Sequence, residues 1–269
     1  MSMGMMKTDY SDNLQFGIQH NDGRSEELLE SALQNIRNGT GSFTGSLSTL
    51  SRISCSRALL AFFRDGHPEL FRQWAYSAAR FDAELMSRGW YDDYLIGDLV
   101  WAVLSDNNEI IEWYAASAPR FSTEAFVSDI GKPKSMAFYR YQAYLALQSR
   151  WDELGERAEQ VLAISGQIKR DTEYLIDQEF YLALARGDAD SMESIIGKLV
   201  TPQLRKKRYK TQNGLARDMM DTYAILFSKI AVRSGYDIRV DSPWIPRELL
   251  NLKPCSEYPD FFGAFLPLK

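Results

Sequence analysis

The stretch Tyr144-Leu-Ala-Leu-Gln-Ser-Arg-Trp-Asp-Glu-Leu154 is echoed by Tyr181-Leu-Ala-Leu-Ala-Arg-Gly-Asp188. Each reads as an apolar helix end, a polar turn of a few residues and the start of a second helix that folds back to bury its apolar face. The pattern occurs twice more, with turns at Arg64-Asp-Gly-His-Pro68 and Ser105-Asp-Asn-Asn108, which follow Ala58-Leu-Leu-Ala-Phe-Phe63 and Leu99-Val-Trp-Ala-Val-Leu104. Asp65, Asp106, Ser149 and Asp188 mark turns that recur about every 40 residues, a period that tandem helix pairs produce. The pattern predicts an all-α fold of antiparallel helix hairpins in a tetratricopeptide-like or solenoid-like array.

The boundaries follow from local signals. Residues 1–24 are polar and predict an irregular N-terminal arm, residues 25–252 the helical-hairpin domain, and residues 253–269 an apolar strap over the last helices. Ser25-Glu26-Glu27 starts the domain's first helix and Asn38-Gly39 ends it in the left-handed region. Gly39 to Ser46 is rich in small residues and predicts a mobile loop; no Gly-Lys-Ser/Thr closes it, so it does not match a phosphate-binding loop. Asp190-Ser-Met-Glu193 has the spacing of a capping box. Asn213 to Gly235 predicts the longest helix, with Leu215, Met219, Met220, Tyr223, Phe227 and Ile230 on its buried stripe.

Composition narrows the function. A formal charge of -5 argues against direct nucleic-acid binding, which needs a basic surface to neutralise phosphates. The N-terminus lacks an apolar leader and no window approaches the length of a membrane span, so a cytoplasmic protein is expected. Cys55 and Cys255 lie far apart, outside any metal or redox spacing, and read as reduced thiols. His20 and His67 have no partner at ligand or triad spacing. No catalytic residue, cofactor or metal site is predicted.

The carboxylates offer more. Asp92, Asp93, Glu109 and Glu112 lie among aromatic residues (Trp90, Tyr91, Tyr94, Trp101, Trp113, Tyr114), a mixture found at protein interfaces, although most of these rings suit the inter-helix core. Asp171, Glu173, Asp177, Asp188 and Asp190 form a second group, in which Glu173 and Asp177 stand four apart and share a face of a continuous helix. These nine residues are the candidate partner-binding set. Asp218 and Asp221 invite the same comparison. Arg205-Lys-Lys-Arg-Tyr-Lys210 is basic at every position but Tyr209, and reads as a solvated loop or helix face pairing with surface carboxylates; the other reading, a nucleic-acid patch, has the net acidity against it.

The C-terminal segment Asp237-Ile-Arg-Val-Asp-Ser-Pro-Trp-Ile-Pro-Arg-Glu-Leu-Leu250, behind a helix closed by Gly235, resembles the closing part of the immunity protein 49 family. The Tyr-Leu-Ala-Leu hairpins and the length fit it too. The resemblance implies a protein that binds a cognate bacterial toxin, a basic nuclease among the candidates, and neutralises it by stoichiometric occlusion. It carries no compact motif, so it implies a role and no site. Two other readings stay open from the residues alone: a tetratricopeptide-like adaptor that binds peptides in a groove, and, more distantly, a helical enzyme with buried, perturbed carboxylates.

Overall fold

The computed structural model describes residues 9–23, 26–89, 97–117, 124–170 and 172–267. Among these residues every regular element is helical. The helices are α1 (Tyr10–Asp22), α2 (Glu26–Asn38), α3 (Phe43–Phe63), α4 (Pro68–Ser87), α5 (Gly97–Leu104), α6 (Asn108–Ser117), α7 (Glu124–Asp129), α8 (Met136–Leu147), α9 (Trp151–Ala163), α10 (Leu175–Arg186), α11 (Ala189–Leu199), α12 (Pro202–Arg208), α13 (Thr222–Arg233) and α14 (Arg247–Leu250).

The four repeated turns are helix–helix turns. They join α3 to α4, α5 to α6, α8 to α9 and α10 to α11. Asp106 and Ser149 take positive φ (58° and 55°), as do Gly66 (70°) and Gly187 (69°). A left-handed residue reverses the chain directly after a helix. Side chains set several starts: Ser42, Ser135, Asp188 and Asp221 accept from backbone N–H groups at the openings of α3, α8, α11 and α13. The cap of α11 is therefore Asp188 with Ser191. The expected capping box at Asp190 does not form, because the helix has already begun there and Glu193 instead accepts from the backbone N–H of Arg239 at 2.6 Å.

Neighbours in sequence pack together: α3 lies along α4, α4 on α5 and α6, α6 on α8, α8 on α9 and α10, and α10 on α11. Helix α13 packs on both α5 and α11, and every residue from Thr222 to Ala231 is buried. A helix apolar on all sides belongs inside, not on a surface. Phe227 stacks on Phe180 of α10 with ring centres 4.4 Å apart, so α13 fills the space that the hairpins enclose.

Four expectations need correction. Residues 10–22 form helix α1, not an irregular arm: Tyr10 donates to the Met219 carbonyl (3.0 Å) and packs edge-on against Trp244, and Asn21 donates to the Leu215 carbonyl (3.0 Å). The small-residue loop shrinks to Gly39–Ser42, because Ser42 caps α3 at once. Residues 213–220 are a succession of turns, so α13 is short and α3 is the longest helix among the described residues. The C-terminal strap lies on α4 instead of the last helices: Phe261 stacks on Trp74 with ring centres 3.8 Å apart, and Tyr258 and Phe262 reach Tyr76 and Phe81.

One buried polar centre ties these parts together. Asp106 accepts from Arg72 Nε of α4 (3.0 Å), Lys229 Nζ of α13 (3.0 Å) and the backbone N–H of Lys253 (3.1 Å). Lys229, fully enclosed, also donates to the carbonyls of Leu249 (2.8 Å) and Asn251 (2.9 Å). Three elements and the strap thus meet at one carboxylate.

Candidate functional site

Helix α6 starts where Asn107 accepts from the N–H of Ile110 at 2.9 Å, which places Glu109 and Glu112, both exposed, about one turn apart. Helix α11 starts where the Asp188 carboxylate accepts from the Ser191 hydroxyl (2.7 Å) and N–H (3.0 Å). Those two bonds, the hydroxyl foremost, hold the exposed carboxyl below its ordinary pKa. Asp190 is exposed beside it.

Residues 233–239 join the two helix starts. Arg233 donates to Asn108 Oδ1 at 2.9 Å, Arg239 N–H donates to Glu193 of α11, and the Tyr236 hydroxyl covers Gly187 so closely that a Cβ there would lie 2.9 Å from it. Beside this segment is an open cleft of about 530 Å³, lined among others by Val232, Tyr236, Asp237, Arg247, Glu248 and Leu250. Asp237 pairs with Arg239 at 2.6 Å. The structure therefore places Glu109 and Glu112 on α6 and Asp188 and Asp190 at the start of α11, two helices linked by one segment, with Asp237 and Glu248 at the cleft beside that segment.

Not every expected residue joins them. Glu173 is half-buried on a 3-10 turn, Thr172–Tyr174, ahead of α10. The helix that was to align it with Asp177 begins only at Leu175, so the four-residue spacing does not put them on one face. Asp177 is 3% exposed and accepts two bonds from Arg208, at 2.6 and 3.0 Å. Burial pushes its carboxyl up against the pull of Arg208, and it is a core ion pair out of a partner's reach. Asp92, Asp93 and Asp171, with Trp90, Tyr91 and Tyr94, lie outside the described residues.

The remaining candidates are structural. Asp221 caps α13 and accepts from Arg205 (3.0 Å) and Gln212 (2.5 Å), and Asp218 accepts from the Tyr209 hydroxyl at 2.9 Å. The basic run is not wholly solvated, since Arg205 and Arg208 are buried. Trp101 and Tyr114 are core rings, while His20 and His67 are exposed. Asp237 and Glu248 were within reach of sequence reasoning, since they sit in the very segment that carries the family resemblance.

Burial perturbs a carboxyl and an amine strongly: Asp82 is pushed up to about 7 against a hydrogen bond from Ser51, and Lys229 is pushed down to about 8 against the pull of Asp106; it also raises the hydroxyls of Tyr10, Tyr174, Tyr181 and Tyr258. None of these groups lines the cleft described above. An open cleft edged by the charged side chains of Asp237, Arg247 and Glu248 is suited to contact with another macromolecule. Among the described residues no helix is long and apolar enough to cross a membrane, and no group of three or more His, Cys, Asp or Glu could hold a metal ion.

Residues 67–249, more than half of the chain, match the family model described as immunity protein 49. No curated protein matches the chain, and no solved structure does.

Proposed function

The chain belongs to the immunity protein 49 family, and from that premise we propose that it binds a cognate bacterial toxin in the cytoplasm and neutralises it by stoichiometric occlusion. The family match carries this reading. The exposed carboxylates of α6 and α11 support it as the contact: Glu109, Glu112, Asp188 and Asp190, with Asp237 and Glu248 between them, would meet a basic toxin surface, such as the substrate-binding face of a nuclease. Asp92, Asp93 and Asp171 belong to the same proposal. Glu173 enters it only at the margin, and Asp177 is left out because it is buried. Tight capture is what the role demands, and nuclease–immunity pairs reach dissociation constants of roughly 10⁻¹³–10⁻¹⁶ M.

The hairpins also suit a tetratricopeptide-like array, and with it an adaptor that holds peptides in an inner groove. That reading has less support, because α13 occupies the inside. Co-purification of the tagged protein from its native host separates the two. One toxin domain held in salt-resistant, one-to-one amounts is the expected result; several loosely held proteins would sink the immunity reading.

A further inference from the structure

The basic run of α12 divides by direction. Arg205 and Arg208, three apart, point inward and are held by Asp221 and Asp177, while Lys206, Lys207 and Lys210 are exposed on the other side. The Arg205 guanidinium also lies 3.3 Å over the Trp244 ring, and that of Arg208 3.9 Å over Tyr223. Two buried, stacked arginines fix the helix, so Lys206 and Lys207 project from an anchored backbone and Lys210 follows just beyond its end.

A second group of cations lies on a segment fastened to α12. Arg208 also lies 4.9 Å over Tyr174, which fastens the Thr172–Tyr174 turn to α12, and the segment leading into that turn carries exposed Lys169 and Arg170. Lys134 reaches this segment, 3.4 Å from Gln167 Oε1. Among the described residues none of these six cations forms a salt bridge with a carboxylate, although Glu173 stands on the turn itself.

We propose that the exposed lysines of the run, Lys206, Lys207 and Lys210, together with Lys169 and Arg170 on the segment that Arg208 fastens to α12 and Lys134, which reaches that segment, dock an acidic segment of a partner protein. The occupant follows from charge. A nucleic acid gains its affinity by neutralising many phosphates, and a chain with a net charge of -5 repels such a polyanion outside this one patch. A short run of Asp and Glu meets the patch alone and escapes that repulsion. The face is separate from the α6 and α11 carboxylates, so the proposal stands whether or not the toxin contact is placed correctly.

The test uses the full chain at low salt, with fluorescence anisotropy of a labelled poly-glutamate peptide and of a short labelled DNA duplex. The peptide should bind saturably and more tightly than the duplex, and K206E/K207E/K210E should weaken it by at least about tenfold, three exposed ion pairs being lost together. The neutral variants K206Q/K207Q/K210Q and K169Q/R170Q should each weaken it less, and they carry the test if the reversed variant fails to fold. Tighter binding of the duplex would assign the face to nucleic acid and overturn the proposal. Absence of saturable peptide binding, or binding that the folded variants leave unchanged, would overturn it as well.

Discussion

Asp177 and Glu173 show how two carboxylates close in sequence can differ in kind. Replacing Asp177 with Ala strands the Arg208 guanidinium in the core, and removing one partner of a buried pair costs about 3–5 kcal/mol. Glu173→Gln, at a half-buried turn position, should stay within about 0.5 kcal/mol of the parent. Urea unfolding of the two variants checks this, and near-equal midpoints would contradict the ion-pair assignment. Asp82 gives a pH-dependent prediction. Its folded pKa of about 7 lies above the unfolded value of about 3.9, so between these pH values the native state keeps a proton that the unfolded chain has released. Its contribution to stability is therefore full below about pH 4 and is lost as pH rises to about 7. Asp82→Asn removes this dependence. The variant should gain on the parent between about pH 5 and pH 8, by an amount on the order of 2–4 kcal/mol. Denaturant midpoints measured across that range would show a constant gap if Asp82 were ionised throughout. At this scale the sequence was only partly legible: Lys229, a lone lysine inside the apolar run Tyr223 to Ala231, could have signalled a buried cation, but its partner Asp106 lies far away in the chain and read simply as a turn residue.

The hairpin turns were legible because each depends on adjacent residues: an apolar helix end, then Asp, Ser or Gly in a left-handed position, then a helix start. Helix α1 was not, because the residues it buries fully, Asn13, Gly17 and Asn21, are small or polar, and its apolar contacts, Leu14 and Ile18, are only partly buried. Its seat is nonetheless tight. A Cβ on Gly17 would lie 2.4 Å from Met219 Cγ, so Gly17→Val should cost about 1–3 kcal/mol by overpacking, and deletion of residues 1–23 should lower the thermal midpoint by several degrees. A deletion that leaves the midpoint unchanged would restore the picture of a dispensable arm. The long helix expected from residue 213 failed for a related reason. Leu215, Met219 and Met220 are buried as the stripe requires, but Asp221, extended at φ -89°, ψ 109° with its side chain on the N–H of Ala224, makes a new helix start where periodicity implied continuation. The candidate carboxylates show the same division: the helices α6 and α11 that carry Glu109, Glu112, Asp188 and Asp190 were legible from their local signals, whereas the link between those helices through residues 233–239 is a long-range contact that no local pattern encodes.

For the molecule as a whole, the important property is that both charged faces are held by a closed interior. Helix α13 fills the inside, Asp106 ties it to α4 and to the strap, and α12 is pinned by two arginines, so the outer surface has little reason to rearrange when a partner arrives. Rigid, preorganised surfaces avoid ordering costs on binding, and their exposed charges act chiefly on the rate of encounter. If the carboxylates of α6 and α11 meet a basic toxin, Glu109→Lys with Glu112→Lys should slow association by roughly tenfold at low salt and leave dissociation changed far less. Raising the ionic strength towards 1 M, where screening falls to about 3 Å, should bring the two association rates together. Surface plasmon resonance with the co-purified toxin domain measures both constants. A loss confined to dissociation would mean that these carboxylates are desolvated at the centre of the interface instead of steering from its rim, and no effect on either constant would move the contact away from α6.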